Sequence, residues 1–282
     1  MTVLLPEYRQ IELYSKKKSL AIAEDAEAER AEATRTCAVL SDAFGALDAA
    51  LGDPLDDPDP MAAWRKYQRL DRTSAVGKLT AEAYRALRVF RAALSHETGR
   101  VETRNGLIKA TATVEQTALS IRITKIGADL LDSFVAYRLG IDRLPYSETY
   151  GAAMLCRYWS DISDEIRWYY DEDRVLFQFR DEFGLNRHFR FECDNPRFSV
   201  GTDHIRFDLG EIYTDPLRYP IDLYAVINTQ LHIVPVEALS AGKLALDQLP
   251  RWQARLSDGL TLPASYRLRF TREVMAQGLP MT

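Results

Sequence analysis

The strongest constraint on this chain is a change in hydrophobic periodicity near Gly184. Before this residue, apolar side chains recur every three or four positions, which is the spacing of helices that bury one face. After it, apolar residues alternate with polar ones and are rich in aromatic and β-branched types, which is typical of strands. The order of the two patterns predicts an α+β protein, with an N-terminal helical bundle followed by a small antiparallel β-sheet domain.

Turn and helix-end signals divide the chain into three segments. We expect a helical domain over residues 1–140, a helical connector over residues 141–183, and an antiparallel meander with a C-terminal helix over residues 184–282. The connector begins with a capping-box-like Ser147 and is expected to stay helical to about Phe183. In the last segment, "VGTD" and "INTQ" occupy the places of hairpin turns, and "LPRWQARLSD" predicts a short helix.

The helical domain is expected to hold several helices and one hairpin. A long alanine-rich pattern predicts a helix over residues 7–51, and a shorter helix is predicted over residues 61–73. A third helix is expected from an N-cap at Thr80 to the stop signal at Gly99. "RNG" then predicts a turn between two short strands, and residues 114–139 return to a helical pattern.

Composition excludes several classes of function. The chain has 282 residues, of which 46 % are hydrophobic, and a formal net charge of −5, so a broad basic surface for long nucleic acid is not supported. A local basic cleft is still compatible with this net charge, because the net charge does not describe how charges are distributed. Three cysteines without a CxxC pair exclude a zinc ribbon. Because no apolar run reaches 18 residues and no signal peptide is recognisable, we expect a cytoplasmic protein with no membrane partner.

Signatures of common cofactor and nucleophile sites are not found, so no cofactor and no metal ion are expected. The sequence has no GxxxxGK[ST], GxGxxG, GxSxG or HExxH motif. His204 has Asp203 and Asp208 nearby but lacks further ligands, and His188 and His232 are interpreted as ordinary sheet residues. An acidic proline-rich loop offers metal ligands, although a solvated loop is the favoured interpretation; its acidic residues are Asp53, Asp56, Asp57 and Asp59.

The stretch "RVFRAALSHETGR" combines two residue types that metal-independent RNA cleavage needs. It places Arg91 near the end of the third helix and His96 at that end. Histidine can take the proton of a 2′-hydroxyl at neutral pH, and the arginine fork can stabilise a charged phosphorane. A five-residue step turns about 140° around a helix, so an unwinding last turn or a second subunit must bring the two together. Alternatively, both residues only favour the negative end of the helix dipole.

The spacing of Arg91 and His96 in "LRVFRAALSHETG" resembles the R-x4–6-H signature of HEPN-domain proteins, over roughly residues 1–140. The resemblance implies a metal-independent ribonuclease, a toxin–antitoxin or phage-defence role, and a homodimer with Arg91 and His96 of both chains around one cleft. A polar stripe beside Arg91 supplies candidate substrate-binding residues: Tyr84, Arg88 and Ser95. One position departs from the family pattern, because Ala92 stands where a polar residue usually follows the arginine.

Two alternatives accompany this hypothesis. A non-catalytic interaction protein would keep the fold without the active site, with Ala92 marking the loss, and would dock a protein partner through the N-terminal helix or the C-terminal sheet. Separately, "YPIDLYAVINTQLHIVPVEAL" resembles a segment of some PD-(D/E)xK nucleases. That activity is not expected, because "FECDN" supplies Glu192 and Asp194 without the lysine that the family places two residues after its glutamate.

Overall fold

The computed structural model describes residues 26–52, 55, 60–104, 106–179, 182–187, 190–210, 216 and 219–255. Four predicted features lie outside these residues: the first part of the N-terminal helix, the four aspartates of the acidic loop, His188, and the end of the C-terminal short helix. The chain forms two compact units. The helical unit comprises the described residues up to 140 together with 158–179, and the sheet unit comprises 141–157 together with those from 182 onward.

The helical unit combines helices with a four-stranded sheet, and α5 extends across its boundary. Its elements in chain order are α1 (Ala26–Ala50), α2 (Pro60–Arg69), α3 (Ala75–Ser95), β1 (Arg100–Arg104), β2 (Leu107–Val114), β3 (Thr117–Thr124), α4 (Lys125–Gly140), α5 (Glu148–Glu165) and β4 (Ile166–Tyr170). The apolar residues that recur every three or four positions along α1 form its buried face, as this periodicity predicts, with Cys37, Leu40 and Leu47 almost fully inaccessible. This face packs against α3 and α4.

Helix α3 carries the candidate residues, and only one of its predicted ends is confirmed. It starts after Ser74, whose Oγ accepts a hydrogen bond from the Gly77 N–H at 3.0 Å, so the prediction of Thr80 as N-cap was wrong. The Thr80 hydroxyl instead donates to the Val76 carbonyl inside the helix. At the other end the last helical residue is Ser95, and His96 is the C-cap, which confirms its predicted place at the helix end. The predicted stop signal Gly99 lies three residues beyond His96, and its N–H donates to the His96 carbonyl at 2.8 Å.

The sheet of this unit has the strand order β1–β2–β3–β4, and all its pairs are antiparallel. The predicted β1–β2 hairpin is confirmed. The helix predicted over residues 114–139 was wrong up to residue 124, because "TALSIRIT" alternates and buries Leu119, Ile121 and Ile123 as strand β3. The connector predicted to be helical to Phe183 ends at Glu165, where "IRWYY" pairs with β3 instead.

The sheet unit contains two three-stranded sheets. Their strands are β5 (Phe191–Asp194), β6 (Phe198–Val200), β7 (His204–Phe207), β8 (Ile221–Ile227), β9 (Gln230–Pro235) and β10 (Lys243–Ala245), in the orders β5–β8–β9 and β10–β7–β6. The hairpins predicted at "VGTD" and "INTQ" join β6 to β7 and β8 to β9. The β5–β8 pair is parallel, a relation that alternation along one strand cannot reveal. The short C-terminal helix is a 3-10 helix at Leu246–Trp252.

The fold as a whole is α+β, with helices mostly in the N-terminal half and strands mostly in the C-terminal half, as the periodicity predicts. In the part of the chain that the structure describes, no helix is both long and apolar enough to cross a membrane.

Candidate functional site at the end of helix α3

Arg91 and His96 lie at the C-terminal end of α3, and both side chains are half-buried. Arg91 Nη1 donates to the Ser41 hydroxyl of α1 at 3.2 Å. His96 is the C-cap, and its N–H donates to the Ala92 carbonyl at 3.0 Å. Ala92 itself is fully buried, so its side chain is not available to a substrate. The pair is therefore at the surface, while the position that departs from the family pattern is in the core.

A hydrogen-bond chain holds the His96 ring. His96 Nδ1 lies 2.9 Å from the Thr98 hydroxyl, which donates to the Thr113 carbonyl at 2.9 Å and accepts from the Thr113 N–H at 2.8 Å. His96 Nδ1 also accepts a hydrogen bond from the Thr98 backbone N–H at 3.3 Å, so both polar groups of Thr98 hold this ring nitrogen. Because Thr98 engages Nδ1, Nε2 is the ring nitrogen through which His96 would act on a substrate.

Within one chain, Arg91 and His96 contact different neighbours. Arg91 is held by α1 through Ser41, whereas His96 is held by Thr98 in the loop that leads into β1. Among the described residues no hydrogen bond joins the two side chains. This placement agrees with the different helix faces expected for a five-residue step.

The charge of Arg91 distinguishes it from the arginines one and two turns earlier in α3. Its recorded partner is the neutral Ser41 hydroxyl, and within the described ranges no carboxylate lies at ion-pair distance from it. Arg88, in contrast, pairs with Glu172, and Arg85 pairs with Asp171. A guanidinium with a neutral anchor keeps its positive charge available to an anion such as phosphate.

The polar stripe predicted beside Arg91 divides into a buried part and an exposed part. Tyr84 is fully buried and donates to Asp48 at 2.7 Å; its burial and this carboxylate raise the pKa of the phenol. Arg88 is 1 % exposed, pairs with Glu172 and lies over the Trp64 ring at 5.1 Å. Their assignment to substrate binding stays a prediction that this placement does not favour.

Ser95 lies on the exposed part of the stripe. Its hydroxyl donates to the Arg91 carbonyl at 2.8 Å, a bond within the last turn of α3. The side chain is accessible to solvent, so its assignment to substrate binding is compatible with the structure and stays a prediction.

A buried ionic cluster around Arg85 was missed by sequence reasoning. Arg85 Nη2 donates to Asp171 Oδ1 and to the Val175 carbonyl, each at 2.7 Å, and Nη1 lies 3.3 Å from Glu82 Oε2. Burial alone would raise the pKa of the Asp171 carboxyl, but hydrogen bonds from Arg85 and Tyr169 hold it below its usual value. The cluster joins α3 to the chain after β4, and β4 was not predicted, so its partners could not be found.

An acidic cleft of about 230 Å³ between α1 and α4 does not suit a nucleic acid. It is lined by Glu32, Asp129 and Asp132, together with Arg35 and Lys125. Burial raises the pKa of the Asp129 and Asp132 carboxyls, and at Asp132 the neighbouring Asp129 raises it further. Lys125 already contacts Glu32 at 3.3 Å. Three carboxylates around two cations would repel a phosphate.

Several titratable residues of the sheet unit have structural roles. His204 Nδ1 lies 2.6 Å from Asp203, and burial lowers the pKa of His232. Asp222 of β8 is fully buried and lies 2.6 Å from Arg190. Among the described residues, no group of three or more His, Cys, Asp or Glu side chains is placed to hold a metal ion.

Comparison of the chain with family models, curated proteins and solved structures found no match.

Proposed function

We propose that the protein is a metal-independent endoribonuclease whose catalytic residues are Arg91 and His96. The observation that carries this proposal is their environment at the end of α3. Arg91 is held by a neutral hydroxyl and keeps its charge, and His96 is oriented through Nδ1 by Thr98. The resemblance of the R-x4-H spacing to HEPN-domain proteins supports the same chemistry, and with it a toxin or phage-defence role.

The reaction divides between the two residues. His96 Nε2 takes the proton of a 2′-hydroxyl, whose oxygen attacks the adjacent phosphorus while the bond to the 5′-oxygen breaks. The products are a 2′,3′-cyclic phosphate and a 5′-hydroxyl, and the leaving oxygen receives a proton from an imidazolium. Arg91 donates to the non-bridging oxygens, where negative charge develops in the transition state.

A homodimer completes the proposed site. Because Arg91 and His96 of one chain contact different neighbours, a second chain that packs its own α3 end against the first would place an arginine opposite a histidine. One arginine and one histidine from different chains are sufficient for this reaction, because the imidazolium that forms on His96 can return its proton to the leaving 5′-oxygen.

Replacement of His96 tests the proposal. Purified His96→Ala is expected to lose about 10²–10⁴-fold in the rate of cleavage of a fluorophore–quencher RNA, because the general base is removed. Its circular dichroism and thermal unfolding should match the wild type, since the side chain is only half-buried. Glu97→Ala, which alters the exposed neighbour, is the matched control and should cleave normally. Equal cleavage rates for His96→Ala and the wild type would disprove the proposal.

A non-catalytic interaction protein is the second candidate. The burial of Tyr84 and Arg88 against the unit's own core favours it, because two of the expected substrate contacts are used internally. It predicts that wild-type protein cuts no RNA with or without EDTA, whereas the ribonuclease proposal predicts cleavage that EDTA does not change.

A further inference from the structure

The outward face of the sheet β1–β4 is a continuous surface that the candidate site does not use. Residues directly opposite each other in antiparallel strands point to the same side of a sheet. The registers therefore place one row across all four strands on a single face: Glu102, Lys109, Arg122 and Trp168. In a parallel row, Ser120 of β3 lies opposite Tyr170 of β4. We name this surface the outer sheet face.

The other face of the same strands is the core of the helical unit. Ala110 and Ile121 are fully buried there, and Tyr169, between Trp168 and Tyr170, is half-buried with its ring centre 5.3 Å from the Arg85 guanidinium. Trp168 is 52 % exposed, although a tryptophan of an ordinary sheet is covered by its neighbours. Side chains that alternate along these strands therefore form one face packed in the core and a second face on which the Trp168 ring is exposed to solvent.

The outer sheet face is basic, although the chain as a whole is acidic. The outward positions of β1, β2 and β3 carry four basic side chains, namely Arg100, Arg104, Lys109 and Arg122, against one acidic side chain, Glu102. Lys109 contacts Glu102 at 2.8 Å, and this pairing lowers the pKa of the Glu102 carboxyl. An excess of positive charge therefore lies on the same face as the exposed ring, in a protein of net charge −5.

The aromatic residues stand beside these charges. Trp168 lies directly opposite Arg122, and the Arg174 guanidinium lies 5.8 Å from the centre of the Tyr170 ring. Aromatic rings on which bases stack, next to guanidinium groups that bind the backbone, are the combination that single-stranded nucleic acid needs. An apolar protein partner would be better matched by a face with fewer basic side chains.

We propose that the outer sheet face binds single-stranded RNA, with one base stacked on Trp168 and the backbone phosphates bound by Arg122 and its basic neighbours. This inference deepens the proposed function, because it assigns the substrate class, single-stranded rather than duplex RNA. It depends on a different set of residues from Arg91 and His96. The contact through a ring face predicts little sequence preference.

Binding is measured by fluorescence anisotropy with a labelled single-stranded RNA of about 12 nucleotides. All proteins carry His96→Ala so that the RNA stays intact. Trp168→Ala is expected to weaken binding about ten-fold, because one stacked base is lost. Arg122→Glu is expected to weaken binding and to lower the slope of log affinity against log salt by at least about one.

Two variants of the same unit are the controls. Phe177→Ala removes an aromatic ring that is 64 % exposed but lies after the end of β4. Arg69→Glu changes the net charge as Arg122→Glu does, from an exposed position on α2. Both should bind RNA like the His96→Ala parent. Equal weakening by Phe177→Ala and Trp168→Ala, or unchanged binding by Trp168→Ala, would overturn the assignment.

The result separates this inference from the ribonuclease proposal. If wild-type protein cuts no RNA but binding depends on Trp168, the RNA-binding face stands and the nuclease fails. If wild-type protein cuts RNA while Trp168→Ala binds it as tightly as the parent, the nuclease stands and the RNA-binding face is wrong.

Discussion

A buried charge is tolerated when its partners are buried with it, and Arg85 meets this condition. Its guanidinium is 2 % exposed and is surrounded by Asp171, Glu82 and the Tyr169 ring. Removing one member leaves the others in a poorly solvated site, which costs more than the ion pair itself contributes. Arg85 and Asp171 are therefore structural residues of the helical unit.

The residue-scale prediction concerns Asp171→Ala. We expect the free energy of unfolding at pH 7 to fall by about 3–5 kcal/mol, because Arg85 loses its main partner. The pKa of the Asp171 carboxyl is held below 3.8, so its stabilisation is complete well above pH 3.8 and is lost as the pH falls below it. The difference between wild type and variant in urea titrations should therefore shrink toward pH 2–3.

Asp173→Ala is the matched control, because its carboxylate lies 3.7 Å from Arg85 but is 52 % exposed. Asp173→Ala should lower the free energy of unfolding by less than about 1 kcal/mol. A stability difference for Asp171→Ala that is the same at pH 7 and at pH 3 would show that the carboxyl is not held by Arg85.

At the scale of elements, the sequence predicted the features that depend on residues close together in the chain. The buried stripe of α1 and the end of α3 follow from side-chain periodicity and a capping turn, both present in the sequence. Strands β3 and β4 were missed because their apolar residues also fit helices, and strand pairing is decided by partners far along the chain. The N-cap at Ser74 was missed because Thr80 offers an equivalent signal six residues later.

Of the candidate site, the sequence predicted the position of residues along α3 but not their burial. The sequence placed Arg91 and His96 at a helix end, which the structure confirms. It could not reveal that Tyr84 and Arg88 are buried, because their partners Asp48 and Glu172 come from other elements. A polar stripe beside an apolar one is solvated only if no other element packs on it.

The element-scale prediction concerns the turn that ends α3. A Cβ at Gly99 would lie 2.9 Å from the Ala92 carbonyl oxygen and closer still to Ala93, so Gly99→Ala must displace the turn that carries His96 and Thr98. We expect a loss of about 1–3 kcal/mol in the free energy of unfolding, measured by urea titration. In NMR spectra the His96 ring signals should shift.

Gly45→Ala is the control, and it is expected to change the free energy of unfolding in the opposite direction. Gly45 is inside α1, and a Cβ there meets no atom within 4 Å. Because alanine favours a helix more than glycine, this change should stabilise the protein by about 0.5–1 kcal/mol. Unchanged stability in Gly99→Ala would mean that the turn has room for a side chain and does not fix His96.

At the scale of the molecule, the distribution of charge matters more than its total. A net charge of −5 argues against a broad nucleic-acid surface, yet the outer sheet face carries four basic side chains together with the exposed Trp168 ring. Strand register creates this face, because residues far apart in sequence, such as Lys109 and Trp168, come to lie in one row. RNA bound there and RNA cut at the end of α3 would involve separate surfaces of the helical unit.

The molecule-scale prediction concerns the composite site. Arg91→Ala and His96→Ala homodimers should both be inactive. A mixed dimer of the two, purified through different tags, keeps an arginine on one chain and a histidine on the other. If the site forms across the dimer, this mixed dimer should cleave RNA about ten-fold or more faster than either homodimer, because general acid–base catalysis contributes about 10²–10⁴-fold.

The matched control is a mixed dimer of wild type with the double variant Arg91→Ala/His96→Ala, which keeps both residues on the same chain. A site formed across the dimer makes this control inactive, whereas a site within one chain makes it active and leaves the first mixed dimer inactive. The two arrangements thus give opposite results in the same cleavage assay. The separate contacts of Arg91 with Ser41 and of His96 with Thr98 favour the arrangement across the dimer, since neither side chain can turn toward the other without losing its partner.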